Sequence, residues 1–214
     1  MTNDSLQEKI NSYFADLGLS LESIDKLSIY LGLLRIRDNQ TYEHSLRVAE
    51  LAKSAAEKCN FDINPKPMLF SGLLHDIGKA VISLNVLTKT EGFSEADMAE
   101  MVLHPLYGYK LLEGVQDFSA GVIVRHHRFQ KNPYPSDEQM PKPNSKFSSS
   151  TFQLMDRCAL VLGLTDFYDA IKFRNNDKFG TEKSSPDKIH SLLCSEYPSH
   201  LEIVSKLYEQ KVFV

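Results

Sequence analysis

The 214-residue sequence lacks the features of membrane-inserted, secreted and disulfide-bonded proteins. It has no run of about 18 apolar residues, which a membrane-spanning helix requires. The segment Met1 to Ser5 lacks the basic and then apolar pattern of a signal peptide. Its three cysteines, Cys59, Cys158 and Cys194, are far apart and show neither zinc-binding spacing nor an obvious disulfide pattern. We therefore expect a reduced, cytoplasmic protein that does not enter a membrane.

The sequence also lacks an excess of basic residues. Its formal net charge is −4 and its isoelectric point is about 6.0. Proteins that bind long nucleic acids usually present a basic face, so this charge balance argues against that class. Small anionic substrates need only a local cluster of positive charge, and the composition leaves them open.

No stretch shows a convincing strand pattern, and apolar spacing predicts helices throughout. Residues 5–36 read as two helices broken at Gly18, and a further helix begins near Asp38. A long amphipathic helix is expected from Thr151 to Phe173. The fold class predicted from these patterns is all-α.

The most informative stretch is Leu73-Leu74-His75-Asp76-Ile77-Gly78-Lys79. We expect a helix over Met68 to Ile77 that ends at Gly78, since glycine accepts the left-handed conformation that closes many helices. The apolar residues before His75 predict that the His-Asp pair is buried. A buried pair of this kind needs a partner, which a metal ion provides, and a simple ion pair between the two is the alternative.

Further histidines and a carboxylate lie near predicted helix ends or on buried helix faces. A single histidine such as His44 on an apolar face is more often a packed core residue than a ligand. Several converging buried imidazoles would leave many ring nitrogens without partners unless they bind metal. Imidazole and carboxylate without thiolate suit iron, manganese, nickel or zinc, and the number of ligands favours two ions. The candidate ligands are His44, His75, Asp76, His104, His126, His127 and Asp166.

These motifs, in this order and spacing, resemble the HD superfamily of metal-dependent phosphohydrolases, and within it the HD-GYP family of cyclic di-GMP phosphodiesterases. The resemblance extends from about Asp38 to Arg174. The matching residues are Asp38, Thr41 and His44 with Arg47-Val48; His75-Asp76-Ile77-Gly78-Lys79; Leu87-Thr88-Lys89, followed by Ser94 and Glu95; His104-Pro105 with Gly108; His126-His127; and Asp166-Phe167-Tyr168-Asp169-Ala170.

The resemblance implies an all-α HD-domain helical bundle. It divides the chain into an N-terminal helical cap (1–37), a catalytic core (38–180) and C-terminal helices packed on the core (181–214). It also implies a centre of two divalent metal ions bridged by Asp76, with His44 as a ligand or an outer partner. Iron or manganese is favoured, with nickel, zinc or magnesium as alternatives. Gln40 replaces a glutamate found in trimetal members, which favours two ions over three.

The activity implied by the resemblance is phosphodiester hydrolysis of a nucleotide second messenger by a hydroxide that bridges the metals. Asp76 and Lys79 would be the catalytic residues, and Lys79 and Lys89 would neutralise phosphate charge. Substrate contacts are also expected from Arg128, Tyr134 and Arg174.

The sequence departs from the family pattern on the substrate side. Arg128 replaces a glutamate after the histidine pair, and only Tyr134-Pro135 remains of the Gly-Tyr-Pro element. The later arginine-rich element is reduced to Arg174-Asn175-Asn176. Two alternatives therefore stay open: an HD-type hydrolase of another nucleotide or phosphoester, and a non-hydrolytic metal-binding sensor that binds a nucleotide or a signalling protein. The oligomeric state is not predicted.

Overall fold

A computed structural model describes residues 3–173 and 185–214, and every regular element in those ranges is helical. The expected all-α class is confirmed. None of the helices in these ranges is both long enough and apolar enough to cross a membrane. The α-helices are α1 (Asn3–Asp16), α2 (Leu21–Arg37), α3 (Asn39–Lys58), α4 (Pro65–Leu74), α5 (Leu84–Leu87), α6 (Glu95–Met101), α7 (His104–Leu112), α8 (Asp117–Ile123), α9 (Ser149–Phe173), α10 (Pro186–Glu196) and α11 (Leu201–Glu209).

Helix α3 lies at the centre of the molecule and contacts α1, α2, α4 and α9. It starts where the sequence predicts, because the side chain of Asp38 accepts hydrogen bonds from the backbone N–H groups of Gln40 and Thr41. Its inner face buries residues such as His44 and Val48. The central position of α3 therefore carries His44 into the core.

The helix that leads to the His-Asp pair ends earlier than expected. Helix α4 stops at Leu74, His75 is its C-cap residue, and Ile77–Val81 form a separate 3₁₀ helix. Gly78 is inside that 3₁₀ helix and is not among the glycines with positive φ. The prediction that Gly78 ends the helix in a left-handed conformation is therefore wrong.

Gly78 is needed for close packing instead. A Cβ atom at this position would lie 1.9 Å from the carbonyl oxygen of His104, far inside van der Waals contact. Gly163 of α9 has the same relation to His126, whose carbonyl oxygen would lie 2.1 Å from an added Cβ. These two glycines let backbone segments approach each other where two histidines are positioned.

Candidate metal centre

The structure brings all seven predicted ligands into one buried cluster. His44 comes from α3, His75 and Asp76 follow α4, and His104 begins α7. His126 and His127 follow α8, and Asp166 lies on α9. All seven residues are buried, and the most exposed, Asp166, retains 8% of its accessible surface.

The donors form two groups that could each hold a metal ion. One group is His44, His75 and Asp76, and the other is His104, His126 and His127. Within each group the ligand atoms all lie within 4.8 Å of one another. Three imidazole or carboxylate donors at such spacing match the composition of protein metal sites.

Asp76 lies between the two groups and presents one oxygen to each. Its Oδ2 is 3.4 Å from Nε2 of His75, and its Oδ1 is 3.3 Å from Nε2 of His104. Asp166 also faces both sides, with Oδ1 at 2.9 Å from Nε2 of His44 and Oδ2 at 3.9 Å from Nε2 of His127. Both carboxylates are thus within reach of both histidine groups.

Three of the histidines are oriented by the same kind of hydrogen bond, from Nδ1 to the backbone carbonyl three residues earlier. Nδ1 of His75 donates to the carbonyl of Gly72, and Nδ1 of His104 donates to that of Met101, each at 2.8 Å. His126 makes the equivalent bond to the carbonyl three residues before it. A carbonyl oxygen can only accept, so Nδ1 carries a proton and Nε2 is the nitrogen that faces the cluster.

Buried ring nitrogens without partners indicate what the cluster is built to bind. Nε2 of His104, Nε2 of His126 and Nδ1 of His127 are buried and make no hydrogen bond in the structure. Leaving such atoms unsatisfied is costly, and a metal cation would satisfy all three. A simple His75–Asp76 ion pair does not account for this second group, so the residues fit divalent metals.

The electrostatics keep the second group in its metal-binding form. Burial lowers the pKa of His104 to about 3, and burial together with the charge of His75 lowers the pKa of His126 to about 4. These imidazoles are therefore neutral at physiological pH, the state in which a ring nitrogen can bind a metal.

Asp76 and His75 form the charged part of the cluster. Burial by itself would raise the pKa of Asp76, but Lys79 and His75 outweigh it and hold that pKa well below its usual value. Burial would lower the pKa of His75, but the charges of Asp76 and Asp166 raise it to about 10, so a metal ion bound here would have to displace the proton on Nε2. Asp76 is thus an ionised carboxylate, as a metal ligand must be.

Asp169 is a member of the site to which the sequence analysis gave no role. Its carboxylate accepts a hydrogen bond from Nδ1 of His44 at 2.6 Å and two more from Arg47, at 2.8 and 2.9 Å. These bonds turn Nε2 of His44 toward the cluster. The available signal was the spacing of Asp166 and Asp169, which places both carboxylates on one face of α9.

Two of the expected substrate-side residues, Lys79 and Tyr134, contact residues of the cluster. Lys79 donates to Oδ2 of Asp76 at 2.6 Å, and Lys89 donates to Asp97 at the same distance. The ring of Tyr134 stacks on that of His127, with centroids 4.4 Å apart. Arg128 bonds the carbonyl of Pro135 and the carboxylate of Asp137 within its own loop. Arg174 lies outside the described residues, and substrate contact by all five remains a prediction.

Comparison with known proteins identifies relatives of the chain. It is 28% identical over 144 residues to the cyclic di-GMP phosphodiesterase response regulator RpfG of Xanthomonas campestris, covering 62% of this chain and 38% of RpfG. It is 30% identical over 115 residues to the cyclic di-GMP phosphodiesterase PA4108 of Pseudomonas aeruginosa, covering 49% of this chain and 27% of PA4108. The chain thus spans well under half the length of either relative.

A solved structure and a family model agree on the fold. The HD domain of the phosphodiesterase PgpH of L. monocytogenes superposes with a TM-score of 0.58 at 14% identity, covering 86% of this chain and 95% of that domain. The family model of the HD domain matches residues 41–171, more than half of the chain. The resemblance drawn from the motifs is confirmed, and the chain belongs to the HD domain family.

Proposed function

We propose that the protein is a metal-dependent phosphodiesterase that hydrolyses cyclic di-GMP at a dinuclear metal centre. The observation that carries the proposal is the position of Asp76, with one oxygen near each of two histidine groups. Both curated relatives are named as cyclic di-GMP phosphodiesterases, which supports the choice of substrate.

Each of the two donor groups would bind one metal ion. One ion would be held by His44 and His75, the other by His104, His126 and His127, with Asp76 and Asp166 near both. Divalent metals in such a centre supply an activated water at neutral pH and neutralise charge on a phosphoryl group. The imidazole and carboxylate donors without thiolate suit iron and manganese, which the family resemblance favours, and also nickel and zinc.

The residues around the centre would direct the substrate. Asp166 and His127 are the two most exposed of the seven ligands, so solvent reaches the cluster from their side. Tyr134, stacked on His127, lies on that side and is positioned to contact a substrate. Lys79 forms an ion pair with Asp76, which places its ammonium group beside the centre where a phosphate would bind.

A second candidate is hydrolysis of a different nucleotide or phosphoester. The observation in its favour is the loop from Arg128 to Asp137, in which Arg128 is bonded to Pro135 and Asp137. This arginine stands where the family has a glutamate, and its present contacts hold the loop beside Tyr134. This loop is therefore where selectivity for a different substrate would arise.

The test is hydrolysis by anaerobically purified, metal-loaded protein, with cyclic di-GMP and a panel of cyclic and linear nucleotides as substrates. We expect cyclic di-GMP to be cleaved, and we expect His126→Gln to lower its turnover by at least about a hundredfold, since altering even the outer partners of metal ligands costs 10–100-fold. His200→Gln is the matched control, because His200 lies outside the cluster and contacts Phe129.

Three outcomes separate the candidates. Cleavage of another nucleotide in preference to cyclic di-GMP would favour the second candidate. Tight binding of a nucleotide by protein that carries metal, without turnover, would favour a sensor. Equal activity of His126→Gln and His200→Gln would contradict the role of the cluster.

A further inference from the structure

The loop that follows the histidine pair folds back so that its two ends lie side by side. The ring of Tyr134 stacks on that of His127, with centroids 4.4 Å apart and planes 25° from parallel. The next residue on each side pairs as well, because the guanidinium of Arg128 donates to the carbonyl oxygen of Pro135 at 2.5 Å. Two successive contacts therefore join the start of the loop to its end.

The start of the loop is also fixed from outside. The side-chain amide of Gln130 donates to the hydroxyl of Tyr197 at 3.2 Å, and the backbone N–H of Lys131 donates to the carbonyl oxygen of Glu196 at 2.8 Å. Tyr197 is fully buried, so the end of α10 supports this part of the loop firmly. Residues 132–133 are exposed. The position of the chain that returns after them therefore depends on its contacts with the start of the loop.

The two hydrogen bonds of Arg128 are not equally important. The side chain of Asp137, its second acceptor, is 90% exposed, and ion pairs at such exposure are screened by solvent and contribute little. Pro135 is buried, and its carbonyl oxygen would lose a charge-assisted hydrogen bond if the guanidinium were absent. The bond to Pro135 is thus the one that holds the residue next to Tyr134 in place.

We propose that Arg128 is a positioning residue that holds the ring of Tyr134 over His127, on the side from which solvent reaches the metal centre. Arg128 acts through Tyr134 and does not itself touch the substrate, in contrast to the direct contact expected from the sequence. The consequence for substrate rests on the proposed function. Aromatic rings bind nucleobases by stacking, so displacing Tyr134 weakens substrate binding more than it slows the chemical step.

The first test is amide hydrogen exchange of the loop, measured on the full chain without substrate. We expect segment 134–140 to exchange at least about fivefold faster in Arg128→Ala than in the wild type, because it loses a charge-assisted hydrogen bond. Arg157→Ala is the matched control: its ion pair with Asp62 is 4.0 Å long and exposed on both sides, and this variant should exchange like the wild type. Equal exchange in Arg128→Ala and the wild type would overturn the proposal.

Steady-state kinetics of the metal-loaded protein separate positioning from direct contact. We expect Arg128→Ala to raise KM at least about tenfold and to leave kcat within about threefold, because the metal ligands are unchanged. In a Tyr134→Ala background, where the ring is already absent, Arg128→Ala should change KM less than about twofold. All three variants should retain the metal content of the wild type.

Two kinetic results would contradict the proposal. Effects of Arg128→Ala and Tyr134→Ala that multiply in the double variant would show that Arg128 contacts the substrate directly, and an unchanged KM in Arg128→Ala would show that it has no part in binding. If no nucleotide is cleaved, the proposed function fails, and the exchange experiment still decides whether Arg128 positions Tyr134.

Discussion

At the scale of single residues, the site is defined by which nitrogen each histidine presents. Three histidines donate Nδ1 to a carbonyl three residues earlier, and His44 donates Nδ1 to Asp169. The Nε2 atoms of these histidines therefore face the candidate metal centre. The chemistry of the cluster thus depends on bonds that lie outside it.

Asp169 offers a direct test of such an outer bond. Asp169→Asn keeps an oxygen that can accept from His44 but removes the charge that pairs with Arg47. We expect metal affinity to fall by about 10–100-fold with the fold intact, as for other outer partners of metal ligands. Competition with a chelator measures it. Asp187→Asn, at an exposed position in the first turn of α10, is the control, and equal affinities of the two variants would refute the role of Asp169.

At the scale of helices, the site depends on close contacts between segments distant in sequence. Helix α9 approaches the turn that carries His126 so closely that Gly163 has no room for a side chain. Gly72 of α4 also lies close to α3, where an added Cβ would be 2.5 Å from Cα of Ala49. The ligands therefore converge because neighbouring helices pack without intervening side chains.

Gly163→Ala should show the importance of this contact. Alanine is favoured over glycine in a helix by about 1 kcal/mol, but overpacking a dense core costs about 1–3 kcal/mol. We expect a net loss of about 1 kcal/mol in the free energy of unfolding, together with weaker metal binding as His126 shifts. Urea denaturation measures the first effect.

Gly32→Ala is the control for that experiment. An added Cβ at Gly32 of α2 meets nothing within 4 Å. The substitution then changes only the helix propensity of this position, and we expect the free energy of unfolding to rise by up to about 1 kcal/mol. If both substitutions changed stability in the same direction, the close contact at His126 would not be the cause of the effect at Gly163.

At the scale of the whole molecule, the sequence predicted what depends on local patterns. The N-cap at Asp38, the long helix ending at Phe173 and the set of metal-type side chains could all be identified from spacing and residue type. The structure brings the seven candidate ligands together, and the fold belongs to the expected class.

What the sequence did not predict depends on contacts between distant segments. The role of Gly78 follows from the carbonyl of His104, which lies on another helix. The bond from His44 to Asp169 joins α3 to α9, 125 residues apart. Arg128 was expected to contact substrate, and its bonds to Pro135 and Asp137 depend on the path of the loop. Local spacing carries no information about such pairings.

The most direct test of the central claim is the metal content of the anaerobically purified chain, measured by mass spectrometry after removal of loosely bound ions. We predict two equivalents of divalent metal per chain in the wild type, and substantially less in Asp76→Ala, because Asp76 is near both histidine groups. His200→Gln should retain both ions. One equivalent or less in the wild type, or two equivalents retained by Asp76→Ala, would contradict a dinuclear centre built around Asp76.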